Sequence, residues 1–178
     1  VKGGTWSSYP PHYQAWFIRQ CLEAMNEFTD ITDMADIPDR TGSDPSIKPL
    51  PLNERKQKTD EEFTRLAEIQ TINETAPVRC IGLTLETRPD SITPKELERL
   101  RLLGCTRVEI GVQTTDDRVN ELTKRGHDTA MVKKASQLLK DVGFKTDYHM
   151  MQQLPGATPE SDVQSFKDIF DDPAYRPD

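Results

Sequence analysis

The stretch RVEIGVQ at residues 107–113 alternates apolar and polar side chains, and it decides the fold class. Its even positions are branched apolar residues, whereas its odd positions are charged, amide or glycine residues. A strand covered by helices on both faces, as in an open doubly wound sheet, is apolar at both parities. One apolar and one polar face instead predicts a barrel with helices outside and a polar interior. Ordinary (β/α)8 barrels are filled by branched apolar side chains, so a polar interior predicts a bound cofactor or substrate.

Two further segments repeat this alternation, and helix signals separate them. Residues 78–86 and 144–151 are predicted strands, with Glu86 and His149 on their polar faces. Strands and helices alternating about every 30 residues predict parallel βα units. The predicted helices start near the following positions: Pro11, Asp60, Thr93, Asp116, Thr129 and Thr158. The last of them is expected to turn Val163, Phe166 and Phe170 inward.

The chain is too short to close a barrel. A full (β/α)8 barrel needs about 250 residues, whereas this sequence has 178. It supplies three whole strands and, at Gly3-Gly4-Thr5, the end of a fourth. Residues 30–58 follow no period and are rich in aspartate and proline, which predicts a flexible surface insertion. We therefore predict an α/β fold that is part of a barrel, within a larger polypeptide.

Composition excludes several classes of protein. With 30 acidic and 23 basic residues, the net charge is −7, which argues against this chain alone being the main nucleic-acid clamp. No run of about 18 apolar residues predicts a membrane span. Three scattered cysteines give no disulfide framework and indicate a reducing cytoplasm. Cys80 and Cys105 are interpreted as buried apolar residues, and no Cys/His cluster has the spacing of metal ligands.

Candidate site residues are those at the carboxyl ends of the predicted strands, where βα barrels place their active sites. These residues are Gly3, Gly4, Thr5, Glu86, Gln113, Arg125 and His149. The residues alone leave alternatives open for each. The glycines fit a tight turn as well as a backbone that approaches a ligand. Glu86 fits an ion pair with Arg88 as well as a ligand contact.

The remaining candidates also have two interpretations. Gln113 has the donors and the acceptor that suit a ribose or an amide, but a single glutamine is a weak signal. The sequence Arg125-Gly126-His127 fits an anion site or a solvated turn. His149 fits a structural histidine as well as a catalytic one. No P-loop and no G-x-G-x-x-G motif is present.

Taken together, these strings resemble the catalytic third subunit of the Elongator complex. The matching strings, in order, are VKGGTW, CIGLTLETRPD, GCTRVEIGVQT, KRGHD, GFKTDYHMMQQLPG and DPAYRPD. That family joins a radical S-adenosylmethionine domain to an acetyltransferase domain and modifies the wobble uridine of tRNA. The resemblance covers nearly the whole chain except residues 30–58. It implies a partial (β/α)6 TIM-like radical SAM barrel, in agreement with the alternation of the strands.

The resemblance also implies the chemistry and the partners. A 4Fe–4S cluster would reduce S-adenosylmethionine to a 5′-deoxyadenosyl radical, which takes a hydrogen from the acetyl group of acetyl-CoA. The resulting carbon radical would add to carbon 5 of uridine 34, the position at which the enzyme adds a carboxymethyl group. The implied partners are tRNA, acetyl-CoA and either a second copy of the chain or Elongator-like subunits. No association with a membrane is implied.

Residue roles follow from the same resemblance. Gly3, Gly4 and Thr5 match the motif that holds the methionine amino group. By similarity to porphyrin-oxidising relatives, Glu86 and Gln113 would bind the ribose, and Arg125 would meet the carboxylate. His149 stands where those relatives have an aspartate that contacts the cofactor. No residue of this chain is assigned a catalytic role.

The chain departs from the family pattern in two ways. The cluster cysteines are expected upstream of Gly3, and an acetyltransferase domain is expected after Asp178; neither is present. Because thiolates are the ligands of such a cluster, this piece alone is expected to be inactive. Two alternatives stay open: another radical SAM enzyme of the coproporphyrinogen-dehydrogenase-like group, or a non-catalytic tRNA-binding or scaffolding remnant.

Overall fold

The computed structural model describes residues 5–28, 52–175 and 177–178. This part of the chain forms two compact units, one of residues 5–8 with Gly82–Asp178 and one of Tyr9–Ile81. Of the predicted site residues, Gly3 and Gly4 lie outside the described residues, and the others all fall in the first unit. None of the described helices is long and apolar enough to cross a lipid bilayer.

The unit Tyr9–Ile81 is a pair of helices, α1 (Pro11–Glu27) and α2 (Leu52–Asn73). An ion pair joins Arg19 to Glu62 at 3.0 Å, and Asn73 donates a hydrogen bond to Asn26 at 2.6 Å. Arg19 precedes Asn26 in α1, and their partners Glu62 and Asn73 follow in the same order in α2. The two helices therefore run in the same direction.

The start of α2 corrects the predicted insertion. Residues 52–58 are helical, whereas the sequence pattern assigned them to a flexible segment; residues 30–51 lie outside the described residues. This first part of α2 has no proline after Pro51 and contains good helix formers, but it lacks the apolar period by which a helix is recognised.

The larger unit contains a three-stranded parallel sheet, in the order β1 (Thr84–Thr87), β2 (Arg107–Gln113) and β3 (Lys145–Met150). In its register, Glu86 lies beside Glu109, which lies beside Asp147. The parallel pairing and the intervening helices confirm the predicted α/β class with βα units. The described residues form three strands, the number of whole strands that the sequence predicts.

Four helices connect and follow these strands. They are α3 (Pro94–Leu102), α4 (Asp117–Leu122), α5 (Thr129–Asp141) and α6 (Pro159–Asp171). Thr93 caps α3 and Thr158 caps α6, at the predicted starts of these helices. Asp128 caps α5 by accepting a hydrogen bond from the amide of Met131, and the predicted start Thr129 is the first residue of the helix. Such caps satisfy amides that have no partner inside the helix.

The apolar core confirms the alternation in β2. Val108, Ile110 and Val112 are fully buried, as are Leu100 of α3 and Leu139 of α5. Helices therefore cover the apolar face of the sheet, and the odd positions of β2 lie on the other face. This leaves one face of the sheet to polar side chains.

Two predictions about buried residues are wrong. Cys80 and Ile81 are exposed, because they precede the stretch of chain that pairs with β2, whose register with β1 begins at Thr84. Helix α6 exposes Val163, Phe166 and Phe170 and instead buries the following pair: Ser165 and Ile169.

Cys105 is buried as predicted, and this has a measurable consequence. Burial raises the pKa of its thiol from 9.0 to about 11. A raised pKa lowers the thiolate fraction, by about 100-fold at pH 8, and the thiolate is the species that reacts with iodoacetamide. We expect mass spectrometry to find Cys80 alkylated in the native protein and Cys105 alkylated only after denaturation. Equal rates at the two thiols would contradict the buried position.

Candidate functional site

Three ionisable side chains meet on the polar face of the sheet, one from each strand. His149 Nδ1 lies 3.5 Å from Glu86 Oε1, and His149 Nε2 lies 3.3 Å from Glu109 Oε2. Carboxylates on neighbouring positions of adjacent strands repel each other. The imidazole of His149 lies between these two carboxylates. Glu109 is only 4% exposed, so its side chain is largely shielded from water.

The group has two chemical uses. The ligand atoms of Glu86, Glu109 and His149 all lie within 4.8 Å of one another, and carboxylate with imidazole suits a divalent transition metal. The same carboxylates can accept hydrogen bonds from hydroxyl groups of a ligand. The imidazole presents a different nitrogen to each carboxylate, so it bridges them.

Gln113 ends β2 in a strained conformation. Its φ is 71°, and the amide of Thr114 donates to the carbonyl of Val112 at 2.9 Å, which makes a γ-turn centred on Gln113. A non-glycine residue in this region costs about 1–3 kcal/mol, and such strain is concentrated at functional sites. Its Oε1 is buried and has no hydrogen-bond partner among the described residues. An acceptor in that state is available to a ligand.

Gly111 makes room for two of the predicted side chains. A Cβ atom at this position would lie 2.8 Å from Gln113 Nε2 and 3.8 Å from Arg125 Nη2. The carboxamide and the guanidinium therefore meet over the bare backbone of Gly111. Because Gly111 follows Glu109 by two residues in β2, both groups lie on the face that carries Glu109 and His149.

Arg125 reaches this face from the loop between α4 and α5. Its Nε is buried without a hydrogen-bond partner among the described residues, and burial lowers the pKa of the guanidinium. No carboxylate in the described ranges forms an ion pair with it within 4.0 Å. A partly buried cation without a counter-ion attracts an anionic ligand.

Thr5 lies near the same edge of the sheet. It is half-buried, directly before a 3-10 turn at Trp6–Ser8. In that turn, Ser7 Oγ lies 2.7 Å from Thr87 Oγ1 at the carboxyl end of β1. Ser7 also donates to Glu96 Oε1 at 2.6 Å. Two residues span about 7 Å at most, so Thr5 stays close to the carboxyl end of β1.

The structure also places residues at the site that the sequence analysis did not select. Glu109 is on the predicted polar parity, and that parity was the available signal. Arg88 lies beside Arg125, and no local pattern indicates this contact, whereas His127 belongs to the segment Arg125-Gly126-His127 that the sequence suggested as an anion site or a solvated turn. Burial lowers the pKa of His127, whose Nε2 lies 3.4 Å from the carbonyl oxygen of Val112. The neutral ring thus supports the end of β2.

The chain is similar to known proteins over its whole length. The family model described as the radical SAM superfamily matches residues 52–169. The tRNA uridine(34) acetyltransferase of Methanocaldococcus infernus is 40% identical over all of this chain, which covers 27% of that protein. That of Dehalococcoides mccartyi is 37% identical, and this chain covers 32% of it. Elongator complex protein 3 of Homo sapiens is 33% identical, with 26% covered.

One solved structure extends the likeness to the backbone. Archaeal Methanocaldococcus infernus Elp3 with an N-terminal deletion (1–46) superposes with a TM-score of 0.76 and 39% identity, over all of this chain and 34% of that one. The chain spans about a quarter to a third of the length of the curated relatives named here. The match to the family model covers well over half of the sequence. The chain therefore belongs to the radical SAM superfamily.

Proposed function

We propose that this chain is the central part of the radical SAM domain of a tRNA uridine(34)-modifying enzyme. The parent protein would use acetyl-CoA to add a carboxymethyl group to carbon 5 of the wobble uridine. Relatives that align over the whole chain and are named tRNA uridine(34) acetyltransferase support this. We further propose tRNA as the partner and the cytoplasm as the location. Elongator-like subunits or a second copy are the proposed protein partners.

The convergence of Gln113 and Arg125 over Gly111 is the observation that carries the proposal for the site. Membership of the superfamily implies S-adenosylmethionine and a 4Fe–4S cluster. The residues fit the former, because the Gln113 amide oxygen, which has no hydrogen-bond partner in the described part of the chain, and the Arg125 guanidinium, which has no ion-pair partner there, share one polar face with carboxylates. When bound, this cofactor supplies radical chemistry.

Each residue then has a proposed contact. Glu86 and Gln113 would bind the ribose hydroxyls, and Arg125 would bind the methionine carboxylate. His149, held between two carboxylates, would orient Glu86 and line the cofactor. The backbone at Gly3, Gly4 and Thr5 would hold the methionine amino group.

The three cysteines do not fit an iron–sulfur cluster. Cys105 is buried, with its thiol donating to the carbonyl of Arg107 at 3.1 Å. Cys21 and Cys80 belong to the other compact unit and are exposed. We therefore propose that the cluster ligands belong to a part of the protein outside this sequence, and that this chain alone is inactive.

The proposal predicts the effect of removing one carboxylate. In the full-length protein with its cluster reconstituted, Glu86→Ala is expected to reduce S-adenosylmethionine binding by about 10–100-fold, since hydrogen bonds to charged groups contribute about 1.5–3 kcal/mol. The measurements are cofactor affinity, release of 5′-deoxyadenosine, and transfer of label from acetyl-CoA to tRNA.

The matched control is Glu98→Ala on the exposed surface of α3, which is expected to leave all three measurements unchanged. If the unaltered protein transferred no label to tRNA, the proposed reaction would be wrong. If Glu86→Ala bound the cofactor normally, the proposed ribose contact would be wrong.

A further inference from the structure

Arg88 connects two segments that are far apart in the sequence. Its Nη2 donates a hydrogen bond to the carbonyl oxygen of Arg125 at 2.7 Å. Its Nε and Nη2 also donate to the two carboxylate oxygens of Asp90, at 2.9 and 2.8 Å. One guanidinium therefore links the end of β1 to the loop that carries Arg125, with Asp90 holding it in a two-point contact.

Gly126 is shaped around the same guanidinium. Its φ is +76°, and a Cβ atom there would lie 2.7 Å from Arg88 Nη2. A side chain at this position would push the guanidinium away, and a left-handed backbone also favours glycine. The turn at Gly126 thus admits Arg88 against its backbone, which fixes the position of the preceding carbonyl.

The charges in this cluster leave one cation for a ligand. Asp90 forms an ion pair with Arg88, whereas no described carboxylate forms one with Arg125. Arg88 is thereby neutralised although it lies next to Arg125. The remaining positive charge, with its buried Nε, lies beside Gln113 over Gly111.

We propose that Arg88 is a positioning residue: by holding the carbonyl of Arg125 and the turn at Gly126, it directs the Arg125 guanidinium toward the carboxylate of S-adenosylmethionine. This inference rests on the function proposed above, because that function supplies the carboxylate. Arg88 itself does not touch the cofactor.

The test compares S-adenosylmethionine with its decarboxylated analogue, which lacks the group that Arg125 would bind. In the full-length protein with its cluster reconstituted, the measured quantity is the ratio of the two dissociation constants. Arg125→Gln is expected to reduce this preference by about 10-fold or more. Arg88→Gln is expected to reduce the preference for the carboxylate by at least about 5-fold. Arg88→Lys is expected to reduce it by less, since lysine keeps the positive charge but cannot donate two hydrogen bonds in the planar geometry of a guanidinium.

A matched control is available in Arg118. It too pairs with an aspartate two residues away, Asp116, and donates to a loop carbonyl, that of Gly156 at 3.2 Å. Arg118→Gln is expected to keep the full preference for the carboxylate. A general loss of stability in Arg88→Gln would weaken both ligands alike and would leave the ratio unchanged.

The outcomes separate the two levels of the proposal. A normal ratio in Arg88→Gln together with a reduced ratio in Arg125→Gln would overturn the role of Arg88 and leave the proposed function standing. A normal ratio in Arg125→Gln, or no binding of S-adenosylmethionine by the unaltered protein, would overturn both. If Arg88→Gln does not fold, Arg88→Lys decides: a reduced ratio supports the role, and a normal ratio overturns it.

Discussion

Replacing Gly111 by leucine is expected to weaken S-adenosylmethionine binding by the full-length protein by at least about 100-fold. A Cβ atom at this position would approach Gln113 Nε2 to 2.8 Å and Arg125 Nη2 to 3.8 Å. A leucine side chain would therefore displace both groups from the polar face. Each lost contact is expected to cost about 10-fold in affinity. Isothermal titration with the cofactor measures the effect.

A smaller substitution at Gly111 and a substitution at a second glycine, Gly82, make this prediction specific. Gly111→Ala is expected to displace the Gln113 carboxamide alone and to cost about 10-fold. Gly82→Ala, whose Cβ would make only an ordinary contact with Thr106 Oγ1 at 3.5 Å, is expected to bind normally. Circular dichroism checks that each variant is folded. Normal binding by a folded Gly111→Leu variant would show that the space above Gly111 is not the cofactor site.

Gln113→Gly is expected to stabilise the protein while it weakens cofactor binding by about 10–100-fold. Glycine adopts a φ of 71° without strain, which releases about 1–3 kcal/mol. The greater freedom of glycine in the unfolded chain offsets about 0.5–1 kcal/mol of this gain. Thermal unfolding and cofactor titration of the same variant measure the two effects.

Gln153 supplies the control, because it also has a positive φ, of 59°, but lies in the loop after β3. Gln153→Gly is expected to raise the melting temperature without changing cofactor affinity. A lower melting temperature for Gln113→Gly would mean that the γ-turn stores no strain. Unchanged affinity would remove Gln113 from the site.

The polar face was predictable because it depends on a short period. Alternation in β2 assigns Glu109, Gly111 and Gln113 to one face whatever the neighbouring strands do. The α/β class follows from the order of strand and helix signals in the same way. Both features are read from local patterns: the polar face from a single strand, and the α/β class from the order of several strands and helices.

The parts that could not be predicted depend on distant residues. The exposed start of the first predicted strand follows from where β2 begins, since Thr84 pairs with Arg107. The hydrogen bond from Arg88 to the carbonyl of Arg125 joins residues 37 positions apart, which no local pattern encodes. Helix α6 was predicted as a helix, but its buried face depends on the loop after β2, where Thr115 and Thr114 meet Ser165.

The most direct test of the central claim is a crystal structure of the full-length protein with its cluster and S-adenosylmethionine bound. The polar face of the sheet predicts ribose hydroxyls within about 3 Å of the Glu86 carboxylate and the Gln113 carboxamide, with the methionine carboxylate at Arg125. A cofactor bound elsewhere, with Glu86 and Gln113 free of contact, would contradict it.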